Sequence, residues 1–176
     1  MNTSKIIFFD LEMCCWEDKP YGEIIEIGLA KFDLKTNKIT NAAQYYVKPD
    51  KDVVSDYCTS VNGITPSIIK KQGRPLNEVI ASMIKNFGGK NAIYASWGRD
   101  DIVLFNECNS KNISLPFIEF LNISTLYQLH YFDSSSKPSL TLALKKEGLD
   151  FIGKAHSGVD DAINLALLYQ KIFIKS

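Results

Sequence analysis

At 176 residues and 45% hydrophobic composition, the chain is long enough to close one core and short for two, so a single domain over residues 1–176 is expected. Its 20 Lys and Arg balance 20 Asp and Glu, so no long-range positive field gathers nucleic acid, and such a partner has to be gripped locally. No apolar stretch reaches the length of a membrane span, and the N-terminus runs into a strand pattern without signal-like features, which points to a cytoplasmic protein with no membrane partner.

The first element, Ile6–Glu12, is an apolar run too short for a typical helix, and it contains two acids at its end. As a buried strand it puts Asp10 and Glu12 on one face and Leu11 on the other. Two carboxylates held together in a crevice repel unless a cation lies between them, and oxygen ligands of this type suit Mg²⁺ or Mn²⁺. The polar, turn-rich loop Met13–Gly22 follows beside the two acids, with Trp16 either a substrate-stacking side chain or, in preference, the loop's anchor. Cys14, Cys15, Cys58 and Cys108 contain no C-x-x-C pair and are expected as free thiols, and the sequence assigns Cys14 and Cys15 no chemistry.

Glu23–Asp33 and Ile39–Val47 have the pattern of two antiparallel strands around a short loop, with Glu26 interrupting an apolar run and given no role beyond a hydrogen bond to a neighbouring loop. Asp50–Gln72, broken by Gly63 and Pro66, suggests irregular chain with one-turn helices. A helix is predicted from Leu76 to Phe87, with Val79, Ile80, Met83, Ile84 and Phe87 on one face and Gly88 as its stop. Ala92–Ala95 reads as a strand, followed by a helix to about Cys108. Helical spacing groups Asp101 with Leu104, Phe105 and Cys108, and Asp100 with Val103 and Glu107, so Asp101 is the acid expected to face inward.

A strand at Phe117–Ile123, a helix from Ser124 to Phe132, a loop over Ser134–Pro138 and a helix over Leu140–Glu147 complete the approach to the last motif. In His156-Ser157-Gly158-Val159-Asp160-Asp161 and the terminal helix to about Ile174, Asp161 shares its stripe with Leu165, Leu168 and Ile172, while Asp160 shares a polar row with Asn164 and Lys171. An acid on an apolar face needs a partner, and a metal shared with Asp10 and Glu12 would be one. Asp10, Glu12, Asp101 and Asp161 with His156 as a base form the inventory for two-metal phosphodiester hydrolysis. Arg74, Arg99 and Lys154 are taken as solvated surface cations in preference to phosphate ligands.

Phe9-Asp10-Leu11-Glu12, Ser96-Trp97-Gly98-Arg99-Asp100-Asp101 and the motif beginning at His156 together resemble the three motifs of the DEDDh 3′–5′ exonucleases, of the DnaQ-like, ribonuclease-H-like superfamily. The resemblance spans nearly the whole chain. It implies an α/β fold with a mixed five-stranded sheet, three leading antiparallel strands and helices on both faces. By carry-over, Asp10, Glu12, Asp101 and Asp161 bind two Mg²⁺ or Mn²⁺, and His156 is the general base.

Tyr57-Cys58-Thr59 followed by Gly63-Ile64-Thr65 resembles the subgroup of histone-mRNA and small-RNA exonucleases and KapD-like proteins. That likeness implies Leu11, Met13, Ile64, Thr65 and Trp97 as contacts to the terminal nucleotide, although Ile64 serves equally as a core residue beside a turn. Met13 stands where many members carry threonine, and the extra nucleic-acid-binding domain of some eukaryotic members is not expected. The implied partner is a single-stranded 3′ end, RNA favoured over DNA. A noncatalytic regulator of the same fold, binding a nucleic-acid end or a protein, and a polymerase-associated proofreading subunit are the alternatives.

Overall fold

The structure, a computed structural model, describes residues 4–19, 21–131 and 137–174. Its centre is β1 (Lys5–Met13), which pairs antiparallel with β2 (Ile24–Asp33), itself antiparallel to β3 (Lys38–Tyr46). On its other side β1 runs parallel to β4 (Ile93–Ser96), and β4 parallel to β5 (Glu119–Asn122), giving one five-stranded sheet in the order β3-β2-β1-β4-β5. Parallel neighbours need crossover connections, and the helices that supply them cover the sheet.

Alternation along β1 sorts the core. Ile7, Phe9 and Leu11 point to the face covered by α3 (Leu76–Phe87) and α4 (Asp100–Ser110), where Val79, Met83 and Leu104 are buried with them. Ile6 and Phe8 point to the face covered by α5 (Ile123–Tyr131), α6 (Leu140–Lys146) and α7 (Gly158–Phe173), against Tyr127, Leu144, Leu165 and Leu168. Asp10 and Glu12 continue the Ile6–Phe8 row, so they point to the α7 side.

Between β3 and α3, two helices replace the irregular chain expected there: α1 (Asp56–Asn62) and α2 (Pro66–Gln72). The punctuating residues are helix boundaries. Ser55 and Thr65 cap the two N-termini with their side chains, Pro66 occupies the first turn of α2, and Gly63 closes α1 at a φ of 82°. Both helices pack on Ile25 through Cys58, Ile64 and Ile69, with Trp16 leaning on this third cluster as an anchor.

Ile84, expected inside, is 44% exposed. The expected helix end at Phe132 and the loop residues Pro20 and Ser134–Ser136 lie outside the described residues. Among the described residues no helix is long and apolar enough to cross a membrane.

Candidate active site

The site forms where β1 ends beneath the start of α7. In the β1–β2 register Asp10 faces Gly28 and Glu12 faces Glu26. The missing side chain at position 28 is what admits the helix, because a Cβ there would overlap the Gly158 backbone. With α7 seated so low, Asp161 in its first turn reaches the strand acids. Carboxylate oxygens of Asp10, Glu12 and Asp161 lie within 4.8 Å of one another, a spacing a divalent cation can bridge. Asp161 also fixes the preceding loop, its Oδ2 accepting the His156 backbone N–H at 2.8 Å.

The second motif delivers the acid that the sequence placed outside. Asp100 follows β4 through the Trp97–Arg99 loop, and its charge acts on both Asp10 and Glu12. Asp101 instead forms a bidentate pair with Arg99, at 3.0 and 3.1 Å. The reason is the rotation of α4. Phe105, which shares the Asp101 stripe, is 52% exposed, whereas Leu104 and Cys108, in register with Asp100, are buried. Glu107, on the Asp100 side, turns inward because its Oε2 accepts the Ile24 backbone N–H at 2.8 Å. Of the two acids, Asp100 is the one whose charge reaches Asp10 and Glu12, and Asp101 is held by Arg99.

A cavity of about 290 Å³ opens over the carboxylates. Leu11, Met13 and Trp97, three of the expected nucleotide contacts, line it. Trp97 is fixed by its indole N–H, which donates to the Pro138 carbonyl at 3.0 Å, and by an edge contact with Tyr127. Ile64 and Thr65 are not brought to this wall. Ile64 is 2% exposed in the α1–α2 core, and the Thr65 hydroxyl accepts the Ile68 N–H as the cap of α2. Val61, Tyr21, Leu140 and Cys15 complete the lining, residues that carry no periodic signal in the sequence.

His156 stands at the rim. Its ring is exposed, with Nδ1 4.0 Å from Glu12 Oε1, and its backbone is left-handed at a φ of 63°. Asn164, expected in a solvent-facing row, is fully buried and clamps the incoming loop by bonding both the N–H and the carbonyl of Ile152. The three surface cations are all engaged in the fold. Lys154 donates to the Asn62 carbonyl, Arg74 to the Ser82 hydroxyl, and Arg99 to Asp101.

The electrostatics follow from crowding. Burial raises the Asp10 carboxyl well above its usual range, and the charges of Asp100, Asp161, Glu12 and Glu26 push it in the same direction. Glu12 is pushed up to about 8 by burial, then by Glu26 and Asp161, against a hydrogen bond from the Asn62 side chain. Asp100 and Asp161 are each raised to about 6, chiefly by burial. Among the described residues no lysine or arginine forms an ion pair with any of these four. All-oxygen donors, mutual repulsion and close spacing fit a hard divalent cation.

The RNase_T exonuclease family model matches residues 7–169. Over 96% of its length the chain is 31% identical to the 3′–5′ exonuclease Snipper of Drosophila melanogaster, of which it covers 69%. It is 30% identical over 92% of its length to the 3′–5′ exoribonuclease 1 of Homo sapiens, covering 50% of that protein. Among solved structures, the nuclease domain of 3′hExo, a DEDDh family member, bound to rAMP, is similar with a TM-score of 0.84 and 29% identity, over 97% of this chain and 92% of that one. These matches run through all three acidic motifs and the whole sheet, and the chain belongs to the DEDDh family of divalent-metal-dependent 3′–5′ exonucleases.

Proposed function

We propose that this protein removes nucleoside monophosphates one at a time from the 3′ end of single-stranded nucleic acid, RNA in preference to DNA. Asp10, Glu12, Asp100 and Asp161 would hold two Mg²⁺ or Mn²⁺, with His156 as the general base. The observation that carries this reading is the convergence of Asp10, Glu12 and Asp161 within 4.8 Å under a cavity open at one rim. When bound, the two cations supply the charge that polarises the scissile phosphate and lowers the pKa of the attacking water.

The chain's own groups divide the remaining work. His156, on the solvent side of the cluster, takes the proton of that water. Leu11, Met13 and Trp97 give the terminal nucleoside an apolar, partly aromatic wall, and a base stacks on such a surface whatever its sequence. Asp161 orients the base catalyst through the His156 backbone N–H. A grip confined to the last nucleotides matches a chain with no net charge. The preference for RNA rests on relatives, one named an exoribonuclease and one bound to a ribonucleotide.

The test is digestion of 5′-labelled single-stranded RNA and DNA of equal sequence with Mg²⁺, Mn²⁺ or EDTA, beside Asp10→Ala and His156→Ala. A metal-dependent ladder that shortens from the 3′ end, faster on RNA and lost in both variants, is the expected result. A folded wild type that binds nucleic acid or a protein and cuts under neither metal would overturn the enzyme reading in favour of a noncatalytic regulator.

A further inference from the structure

Glu26 is a sequence feature that the proposed chemistry leaves unused. It is 1% exposed in the middle of the sheet, directly opposite Glu12. A second carboxylate in that position is costly, so the fold must draw something from it. The α7 N-terminus lies against it. A Cβ built on Gly158 would come 2.8 Å from Glu26 Oε1 and 3.3 Å from the Asp10 carbonyl oxygen.

The start of α7 also lacks a local cap. Ser157, in the capping position, makes no side-chain hydrogen bond to the helix. The first N–H groups of any helix need acceptors, and a negative group suits that end of the helix dipole. The Gly158 and Val159 N–H groups, with the Gln44 side chain, are the donors that favour the charged form of Glu26 against its burial. Its Oε1 has no hydrogen-bond partner among the described residues and lies beside Gly158 at the start of the helix.

Resting on the exonuclease reading above, we propose that Glu26 is a positioning residue: a cap for α7 supplied from β2, which sets where Asp161 and the His156 loop stand relative to Asp10 and Glu12. The connection is short. Glu26 lies against Gly158 at the start of α7, Asp161 lies three residues further on, and Asp161 holds the His156 N–H. Reach is therefore the property that matters, because an acceptor withdrawn from β2 lets the first turn of α7 move and carry Asp161 with it.

Glu26→Gln keeps the reach and an acceptor oxygen. Glu26→Asp keeps the charge and draws the acceptor back by one methylene. Leu144→Ala, in the core layer shared with α7, controls for lost stability. For each, kcat and KM on single-stranded RNA with Mn²⁺, Mn²⁺ affinity by calorimetry and the thermal midpoint are measured. Glu26→Asp is expected to lower kcat and Mn²⁺ affinity by about 10-fold or more, as loss of an orienting partner does, with KM within about threefold. Glu26→Gln is expected to keep both within about threefold, and Leu144→Ala to lose stability with both intact.

A folded Glu26→Asp with wild-type kcat and Mn²⁺ affinity overturns the proposal, as does a Glu26→Gln equal to Glu26→Asp, or a Leu144→Ala that lowers both to the same degree. If Glu26→Asp does not fold, Gly158→Ala forces the same contact apart and is expected to give the same kinetic signature. A wild type that cuts no nucleic acid overturns the exonuclease reading, and the Mn²⁺ affinities of these variants then decide on Glu26 by themselves.

Discussion

Two groups of carboxylates on this fold solve the same problem in opposite ways. Beside α4 and the start of β2, Glu23 accepts the backbone N–H groups of Asp50, Lys51 and Asp52, and Lys111 lies within 3.2 Å of Glu23, Asp50 and Glu107. The backbone donors and the ammonium hold the Glu23 carboxyl down at about 2, although burial acts against them. At the end of β1 the acids crowd together, lack such a cation among the described residues, and are raised. A cluster that the chain neutralises itself is a latch, and one left in repulsion is arranged for a cation from outside.

The sharpest way to break this comparison is to remove charge from each group. Asp161→Asn is expected to lower kcat by about 10³-fold or more, since it takes away a charged metal ligand while leaving an acceptor oxygen for the His156 N–H. In the metal-free protein the same change should raise the thermal midpoint, because repulsion is relieved. Asp100→Asn is expected to follow Asp161→Asn, while Asp101→Asn should stay within about threefold of wild-type kcat. Equal losses for Asp100→Asn and Asp101→Asn would show that α4 is rotated away from the arrangement described.

A pH series with and without Mg²⁺ has the next largest effect. Glu12 moves from an ordinary 4.5 to about 8 on folding, and Asp161 from 3.8 to about 6. Raised carboxyls bind protons more tightly in the folded state, so their contribution to stability is complete below about pH 4 and is lost as pH climbs through about 6 and then about 8. The metal-free midpoint is expected to fall over that interval and saturating Mg²⁺ to flatten the fall. Glu23 has the opposite sign, its contribution being lost as pH drops from 4.5 toward about 2. A metal-free midpoint that rises between pH 5 and 8 would contradict the crowding of the site.

At the latch, Lys111→Met leaves Glu107 and Glu23 without their ammonium. The expected cost is about 1–2 kcal/mol, discounted because the pairs are partly solvated, and is read from urea unfolding. At temperatures where the variant stays folded, kcat should remain within about threefold of wild type. A tenfold loss of kcat without a change in stability would make the latch part of the site.

The extent to which these groups were legible in the sequence depends on how far each signal reaches. Asp10 and Glu12 follow from strand alternation alone, and Asp161 from a stripe with Leu165 and Leu168, both buried as expected. Asp100 and Asp101 could not be separated in this way, since each is helically spaced from Leu104 and Cys108. The choice turned on whether Phe105 or Glu107 faces inward. Hydrophobicity favours Phe105, but the Ile24 N–H, 83 residues away in sequence, and Lys111 draw Glu107 in. Asn164 was misplaced for the same reason, its partner Ile152 lying on an irregular loop. β1, β2 and β4 were legible as apolar runs and β3 from the short loop that returns it along β2, whereas α1 and α2 were hidden by Gly63 and Pro66, which bound helices here and do not break them.

Thr65 tests the finest of these distinctions. Family likeness gives Gly63-Ile64-Thr65 a role at the terminal nucleotide, and the geometry gives Thr65 a cap and Ile64 a core contact. Thr65→Ala removes the acceptor for the Ile68 N–H, a loss of about 1 kcal/mol in the usual range for capping threonines. Since α2 does not border the cavity, KM for a short single-stranded RNA is expected to stay within about twofold. Thr65→Ser retains an acceptor hydroxyl and should recover most of the stability. A capping role requires stability to change while KM holds, and a nucleotide contact requires the reverse. A rise in KM of tenfold or more in Thr65→Ala, with stability unchanged, would return this segment to the substrate wall and show that α1 and α2 close over the cavity when nucleic acid binds.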